Sequence, residues 1–174
     1  DIPYLFKEPE VNPFLGYRAV RFCLDKPEIF GAQLAAILRA AVYGNIHILL
    51  PMITCVSELR AVKNLMRQVA EELRQRGEAC RDNIPLGIMI ETPAAALIAD
   101  TLASEVDFFS IGTNDLTQYT LALDRQNACL DRYFDPHHPA LLRMLAMVAE
   151  NAHKAGIWAG ICGELAADPE LTET

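Results

Sequence analysis

The chain has 174 residues, 52% hydrophobic and 22% charged, with a formal net charge of -8 from 15 basic and 23 acidic side chains. This composition excludes disorder as the main state and suits a soluble globular domain that removes roughly 70% of its unfolded surface from water. The acidic balance argues against broad nucleic-acid or anionic-membrane binding, so a phosphorylated ligand has to be held by a few local cations.

Short apolar runs suited to strands alternate with longer helical patterns, which predicts repeated βα units and a parallel sheet. Strands are expected at 18–24, 46–50, 86–90, 108–111 and 157–162. Asp25-Lys26-Pro27-Glu28 is expected to open a helix reaching Gly44. There Asp25 would cap, Pro27 suits the first turn, and Glu28 favours the positive helix end. A second helix at 56–76 repeats Val56, Leu59, Val62, Leu65, Met66, Val69 and Leu73 at helical spacing, with Gly77 as its stop. Further helices are expected at 93–103, after Asp115, and at 139–155 before Gly156. No linker or repeat divides the pattern, so 1–174 reads as one α/β domain. The expected fold is a (βα)8 TIM-type barrel, incomplete with about five βα units, because five strands cannot close an eight-stranded barrel. A doubly wound open sheet is the competing architecture.

Functional residues of such barrels gather at the C-terminal strand ends, where Glu91, Asn114, Asp115 and Cys162 fall. Two acids at equivalent strand ends suit magnesium, which keeps one or two protein carboxylates and fills its other positions with water and substrate oxygens. Taken singly, Glu91 and Asp115 serve equally well as helix N-terminal carboxylates. Arg18 and Arg125 carry forked donors suited to phosphate or carboxylate, although such residues are more often on the surface or ion-paired. Cys162 lies between Gly160 and Gly163 at a strand end, with a small core thiol as its alternative reading.

Five cysteines without a CxxC pair indicate neither a zinc site nor a disulfide framework. No signal peptide or apolar run long enough to span a membrane is present, which makes a reducing cytoplasm the expectation. The start without Met and the end at Thr174 suggest a piece of something longer. His47, expected in a strand, and His137, His138 and His153 stand in contexts that do not argue for catalysis. Gln118 and Tyr119 are read as supports.

Four ordered motifs span the chain: Asn12-Pro13-Phe14-Leu15-Gly16-Tyr17-Arg18, Met89-Ile90-Glu91-Thr92-Pro93-Ala94-Ala95, Gly112-Thr113-Asn114-Asp115-Leu116-Thr117-Gln118-Tyr119-Thr120-Leu121-Ala122 and Gly160-Ile161-Cys162-Gly163-Glu164-Leu165-Ala166. Together they resemble the phosphoenolpyruvate-binding C-terminal domain of enzyme I of the bacterial sugar phosphotransferase system. The resemblance implies a (βα)8 barrel in which Glu91 and Asp115 bind Mg2+. It implies that Asn114, Asp115, Arg18 and Arg125 contact phosphoenolpyruvate and that Cys162 protonates the enolpyruvate carbon to give pyruvate. The implied partners are the parent enzyme's own phosphohistidine domain and, through it, the phosphocarrier protein HPr, with a homodimer in the cytoplasm. That histidine domain, further phosphate-binding arginines and the last barrel strands would lie outside this chain, which alone is not expected to complete phosphotransfer.

Pyruvate phosphate dikinase and phosphoenolpyruvate synthase resemble the Asn-Asp-Leu-Thr-Gln run too, but Tyr119-Thr120-Leu121-Ala122 and Gly163-Glu164-Leu165-Ala166 look more like enzyme I. Gln126 stands where enzyme I usually has glycine, which bears on the loop around Arg125. Two other classes remain: a magnesium-dependent carbon–carbon lyase, which would not require Cys162, and a non-catalytic dimerisation module.

Overall fold

In the computed structural model, residues 10–167 are described. Four parallel strands run in the order β1-β2-β3-β4: β1 (Ile48–Leu50), β2 (Leu86–Ile90), β3 (Phe108–Gly112) and β4 (Trp158–Cys162). The helices are α1 (Val20–Asp25), α2 (Pro27–Ala40), α3 (Val56–Gln75), α4 (Pro93–Leu97), α5 (Ala99–Ala103), α6 (Thr113–Thr120) and α7 (Pro139–Ala155). Sequential strands pair with their chain neighbours through helical crossovers, as in a barrel wall, and four strands leave that wall open.

The strand expected at 18–24 is a correction: it forms α1. Val20, Phe22 and Leu24 fit an alternating period, but Val20, Cys23 and Leu24 fit a helical one, and it is the latter three side chains that turn together onto the core. About five βα units therefore reduce to four strands among the described residues. Asp25 ends α1 instead of capping α2, whose N-cap is Lys26 without a side-chain cap bond, and α2 stops at Ala40, short of Gly44. The helix expected at 93–103 splits into α4 and α5 at Ile98, whose φ of -111° and ψ of 23° leave the helical region. His47 precedes β1 by one residue and sets its ring 5.7 Å from Phe108.

The other elements follow the sequence pattern. Helix α3 buries Leu59, Val62, Met66, Val69, Ala70 and Leu73 along one stripe. Each such large apolar side chain contributes about 1.5–3 kcal/mol when fully buried. Past its end, Gly77 takes a φ of +71°, and the Glu78 N–H closes the helix by donating to the Leu73 carbonyl at 2.9 Å.

Register divides the sheet into two faces. Ile88, Ile90, Phe109 and Ile111 point to the core under the helices and are buried. Gly87, Met89, Phe108, Ser110, Gly112, Trp158, Gly160 and Cys162 occupy the opposite, inner face. At its N-terminal end Phe108 lies across Gly87, where a Cβ would come within 2.3 Å of the ring, and stacks on Trp158 at 4.5 Å between centroids. At the other end the inner face carries Met89, Ser110 and Cys162, with glycine at 112 and 160.

Candidate active site

Glu91 follows β2 on the same face as Met89, and Gly112 and Cys162 are register partners at the ends of β3 and β4. A Cβ on Gly112 would sit 2.9 Å from the Glu91 Cβ and 3.0 Å from the Met89 Sδ. The strand ends thus form a row of carboxylate, glycine and thiol. Two interstrand steps separate the outer members by about 10 Å, and the glycine leaves a floor between them.

Glu91 is 5% exposed, yet its carboxylate does not cap α4. Thr92 performs that task, accepting the Ala95 N–H on its Oγ1 at 3.1 Å. Glu91 Oε1 instead accepts the backbone N–H of Met52 at 2.6 Å, from the loop after β1. Met52 reaches that position with a φ of +58°, a left-handed conformation costly for a residue with a side chain. Burial raises the Glu91 pKa above the usual carboxylate range; the Met52 N–H opposes that shift, the Asp115 charge adds to it, and Arg18 and Arg125 oppose it.

Asp115 lies in the first turn of α6 but does not cap it. It is 4% exposed, and each of its oxygens faces a guanidinium. Arg18 Nη2 donates to Oδ2 at 3.0 Å. Arg125 Nη2 lies 3.1 Å from Oδ1, within ion-pair range, while Oδ1 is buried without a well-directed hydrogen bond. The Phe14 ring lies beneath both cations, 5.7 Å from the Arg18 Cζ and 5.5 Å from that of Arg125. The entry loop is pinned by Tyr119, whose hydroxyl donates to the Phe14 carbonyl. Gln118 Oε1 accepts the Arg125 N–H at 3.1 Å and so fixes the other arginine's loop. Gln126 sits in the same loop with its N–H on Asp124 Oδ1 at 2.8 Å, so the turn is built without a glycine there.

Asn114 Oδ1 accepts the Glu164 N–H at 3.3 Å, joining α6 to the turn after β4. Cys162 donates its thiol proton to the Ile111 carbonyl and accepts the Ser110 hydroxyl, both at 3.4 Å, while Thr113 Oγ1 donates to the Cys162 carbonyl at 3.0 Å. Gly163 follows with a φ of +99°. Cys23 and Cys80 pack against the core, whereas Cys129 is exposed. Cys55 heads α3, where it accepts an N3 backbone N–H.

The residues singled out in the sequence thus divide between two walls around the Gly112 floor: Glu91, Asp115, Arg18 and Arg125 on one side, Asn114 and Cys162 on the other. Ser110, Gly112, Met52 and Phe14 were not singled out. Glycine at a strand end was the one legible signal among them. Among the described residues no group of three or more His, Cys, Asp or Glu side chains could hold a metal, so a cation here would rest on two carboxylates.

The family model described as "PEP-utilising enzyme, PEP-binding domain" matches residues 1–174. The chain belongs to this family. Its relatives include phosphoenolpyruvate-protein phosphotransferases from Bacillus subtilis (strain 168), 51% identical over 97% of this chain, and from Listeria monocytogenes serovar 1/2a (strain ATCC BAA-679 / EGD-e), 50% identical over 96%. This PEP-binding domain spans only 30% and 29% of their respective lengths. Among solved structures, it resembles a citrate lyase from Burkholderia xenovorans LB400, with a TM-score of 0.56 and 23% identity over 75% of this chain and 40% of that one. An HpcH/Hpal aldolase/citrate lyase family protein from Burkholderia cenocepacia J2315 gives a TM-score of 0.58 and 18% identity over 84% of this chain and 59% of the other. At such identity these two structures speak for the barrel-type α/β fold of the PEP-binding domain alone. No described helix is long and apolar enough to cross a membrane.

Proposed function

We propose that this chain is the substrate domain of a phosphoenolpyruvate-protein phosphotransferase, holding phosphoenolpyruvate while its phosphoryl group passes to a histidine outside the chain. The observation that carries the reading is the row Glu91, Gly112, Cys162, with Asp115 and its two arginines beside it. A carboxylate and a thiol stand at the two ends of the row with a residue lacking a side chain between them, and cations for a ligand's anionic groups stand beside Asp115.

The donor set fits Mg2+. Glu91 and Asp115 would hold it, and the buried Asp115 Oδ1 lacks a well-directed hydrogen bond. Bound there, the ion would offset negative charge on phosphate and enolate oxygens. Arg18 and Arg125 would turn from Asp115 to the substrate's phosphate and carboxylate. Asn114, tied to the turn after β4, orients the ligand between the walls. When the P–O bond to the enol oxygen breaks, its electron pair stays on oxygen and leaves an enolate. Cys162 then delivers its Sγ proton to the methylene carbon, forming the methyl group of pyruvate and leaving a thiolate. Most of the remaining acceleration comes from position and charge.

Under this reading the phosphoryl group continues from the parent's histidine domain to HPr for sugar uptake, in a cytoplasmic homodimer. Calorimetric titration with phosphoenolpyruvate, with and without magnesium, tests it on this chain and on the longer protein. Magnesium-dependent binding that disappears in Glu91→Ala and Asp115→Ala supports the assignment. A folded longer protein that binds no phosphoenolpyruvate overturns it. Lyase activity surviving Cys162→Ala would favour the carbon–carbon lyase class instead.

A further inference from the structure

Ser110 sits on the inner face of β3, one pleat below Gly112. Its register partner on β4 is Gly160, which presents no side chain, and its partner on β2 is Met89, a thioether. The hydroxyl is half-buried, and its hydrogen bond among the described residues goes diagonally to Cys162 Sγ at 3.4 Å. The sulfur in turn donates to the Ile111 carbonyl at 3.4 Å. The arrangement is directional: hydroxyl to thiol, thiol to carbonyl.

That direction matters once the thiol proton has gone. The S–H electron pair remains on sulfur, and the Ile111 carbonyl, an acceptor while the thiol was whole, now points its negative end at an anion. The Ser110 hydroxyl is the donor already aimed at the sulfur, and a hydrogen bond to an ionised partner is about twice as strong as a neutral one. Thr113 holds the Cys162 backbone through its carbonyl at 3.0 Å, leaving the sulfur itself to the Ile111 carbonyl and the Ser110 hydroxyl, of which only the hydroxyl can donate to a thiolate.

We infer that Ser110 is a positioning residue for the carbon-protonation step, donating its hydroxyl hydrogen bond to the Cys162 sulfur and stabilising the thiolate left when the proton moves to carbon. The inference rests on the proposed role of Cys162. Ser110 keeps its own proton throughout: one S–H bond breaks, one C–H bond forms, and nothing is oxidised.

The reverse of this step needs no phosphoryl acceptor, so it is open to test with pyruvate. In D2O with magnesium, exchange of the pyruvate methyl protons is followed by proton NMR, using this chain and the longer protein. Ser110→Ala is expected to slow exchange about 10- to 100-fold at saturating pyruvate, without changing the half-saturating concentration. Ser110→Thr, which keeps the hydroxyl, is expected to restore the rate. Cys162→Ala is expected to abolish exchange.

A second readout does not depend on pyruvate. Iodoacetamide labelling of the Cys162 peptide, measured by mass spectrometry at fixed pH, is expected to slow several-fold in Ser110→Ala and to recover in Ser110→Thr, with thermal unfolding unchanged. Wild-type rates of both exchange and labelling in Ser110→Ala would overturn the inference while leaving Cys162 in its role. Exchange that persists in Cys162→Ala would overturn the role of Cys162 and the inference with it. If neither protein exchanges above background, the labelling comparison decides for or against the Ser110 contact.

Discussion

The two buried carboxylates make opposite predictions for the metal-free protein. Asp115 is compensated by two guanidiniums, at 3.0 Å and 3.1 Å, whereas Glu91 has a single backbone N–H at 2.6 Å and a pKa raised first of all by burial. Asp115→Asn exchanges one accepting oxygen for a donor that faces an arginine. Losing a hydrogen bond to a charged group costs about 1.5–3 kcal/mol. Because the arginine side chains are 33% and 32% exposed, solvent screening reduces the expected cost to about 1–2 kcal/mol. For a chain of this size that corresponds to a Tm lower by about 2–8 °C.

Glu91→Gln keeps an oxygen for the Met52 N–H and removes a charge the fold disfavours, so its Tm should rise. The sign with pH follows from the raised folded-state value. The gain from glutamine is largest above that value and fades as pH falls through it, because the native Glu91 then takes up a proton and becomes neutral. Both variants should lose magnesium-dependent phosphoenolpyruvate binding. Thermal unfolding by circular dichroism in EDTA, across pH 5 to 8, reads the stability effects, and calorimetry reads the binding. A Glu91→Gln protein that melts below wild type beside an unaffected Asp115→Asn would refute the reasoning.

Gly112→Ala should remove the substrate floor: the new Cβ would meet Glu91 at 2.9 Å and Met89 at 3.0 Å, costing about 1–3 kcal/mol in denaturant melts and abolishing binding by calorimetry. Gly163→Ala forces a side chain onto a φ of +99° and brings its Cβ to 2.6 Å from Thr113 Oγ1, so urea denaturation should register a loss of about 1–3 kcal/mol. Gln118→Ala releases the Arg125 backbone N–H, held at 3.1 Å. It should cost about 0.5–1.5 kcal/mol in stability and weaken phosphoenolpyruvate binding in titration; unaltered binding would remove Gln118 from the support of Arg125.

The strands after 86, 108 and 157 were legible because a short apolar run ends at a polar or glycine residue in each. Helices α3 and α7 were legible because their apolar spacing persists over several turns. The segment 18–24 was not, since both periods fit its few apolar residues and only packing against the core decides between them. The break at Ile98 has no Pro or Gly to announce it. In the site, acids at strand ends and arginines in turn-rich loops carry their chemistry in their identities. Ser110 and Met52 do not. The first becomes visible only when register sets it diagonally from Cys162, and the second acts through a backbone N–H whose left-handed conformation no methionine advertises.

The stacked pair of Phe108 and Trp158 has an optical consequence. Trp158 is the single tryptophan of the chain, 54% exposed on the same strand and the same face that end in Cys162. Emission from the native protein therefore comes from one place, lit from the wet side of the sheet. It should be red-shifted and open to quenching by iodide or acrylamide, and it should turn blue and shielded when another layer closes over that side.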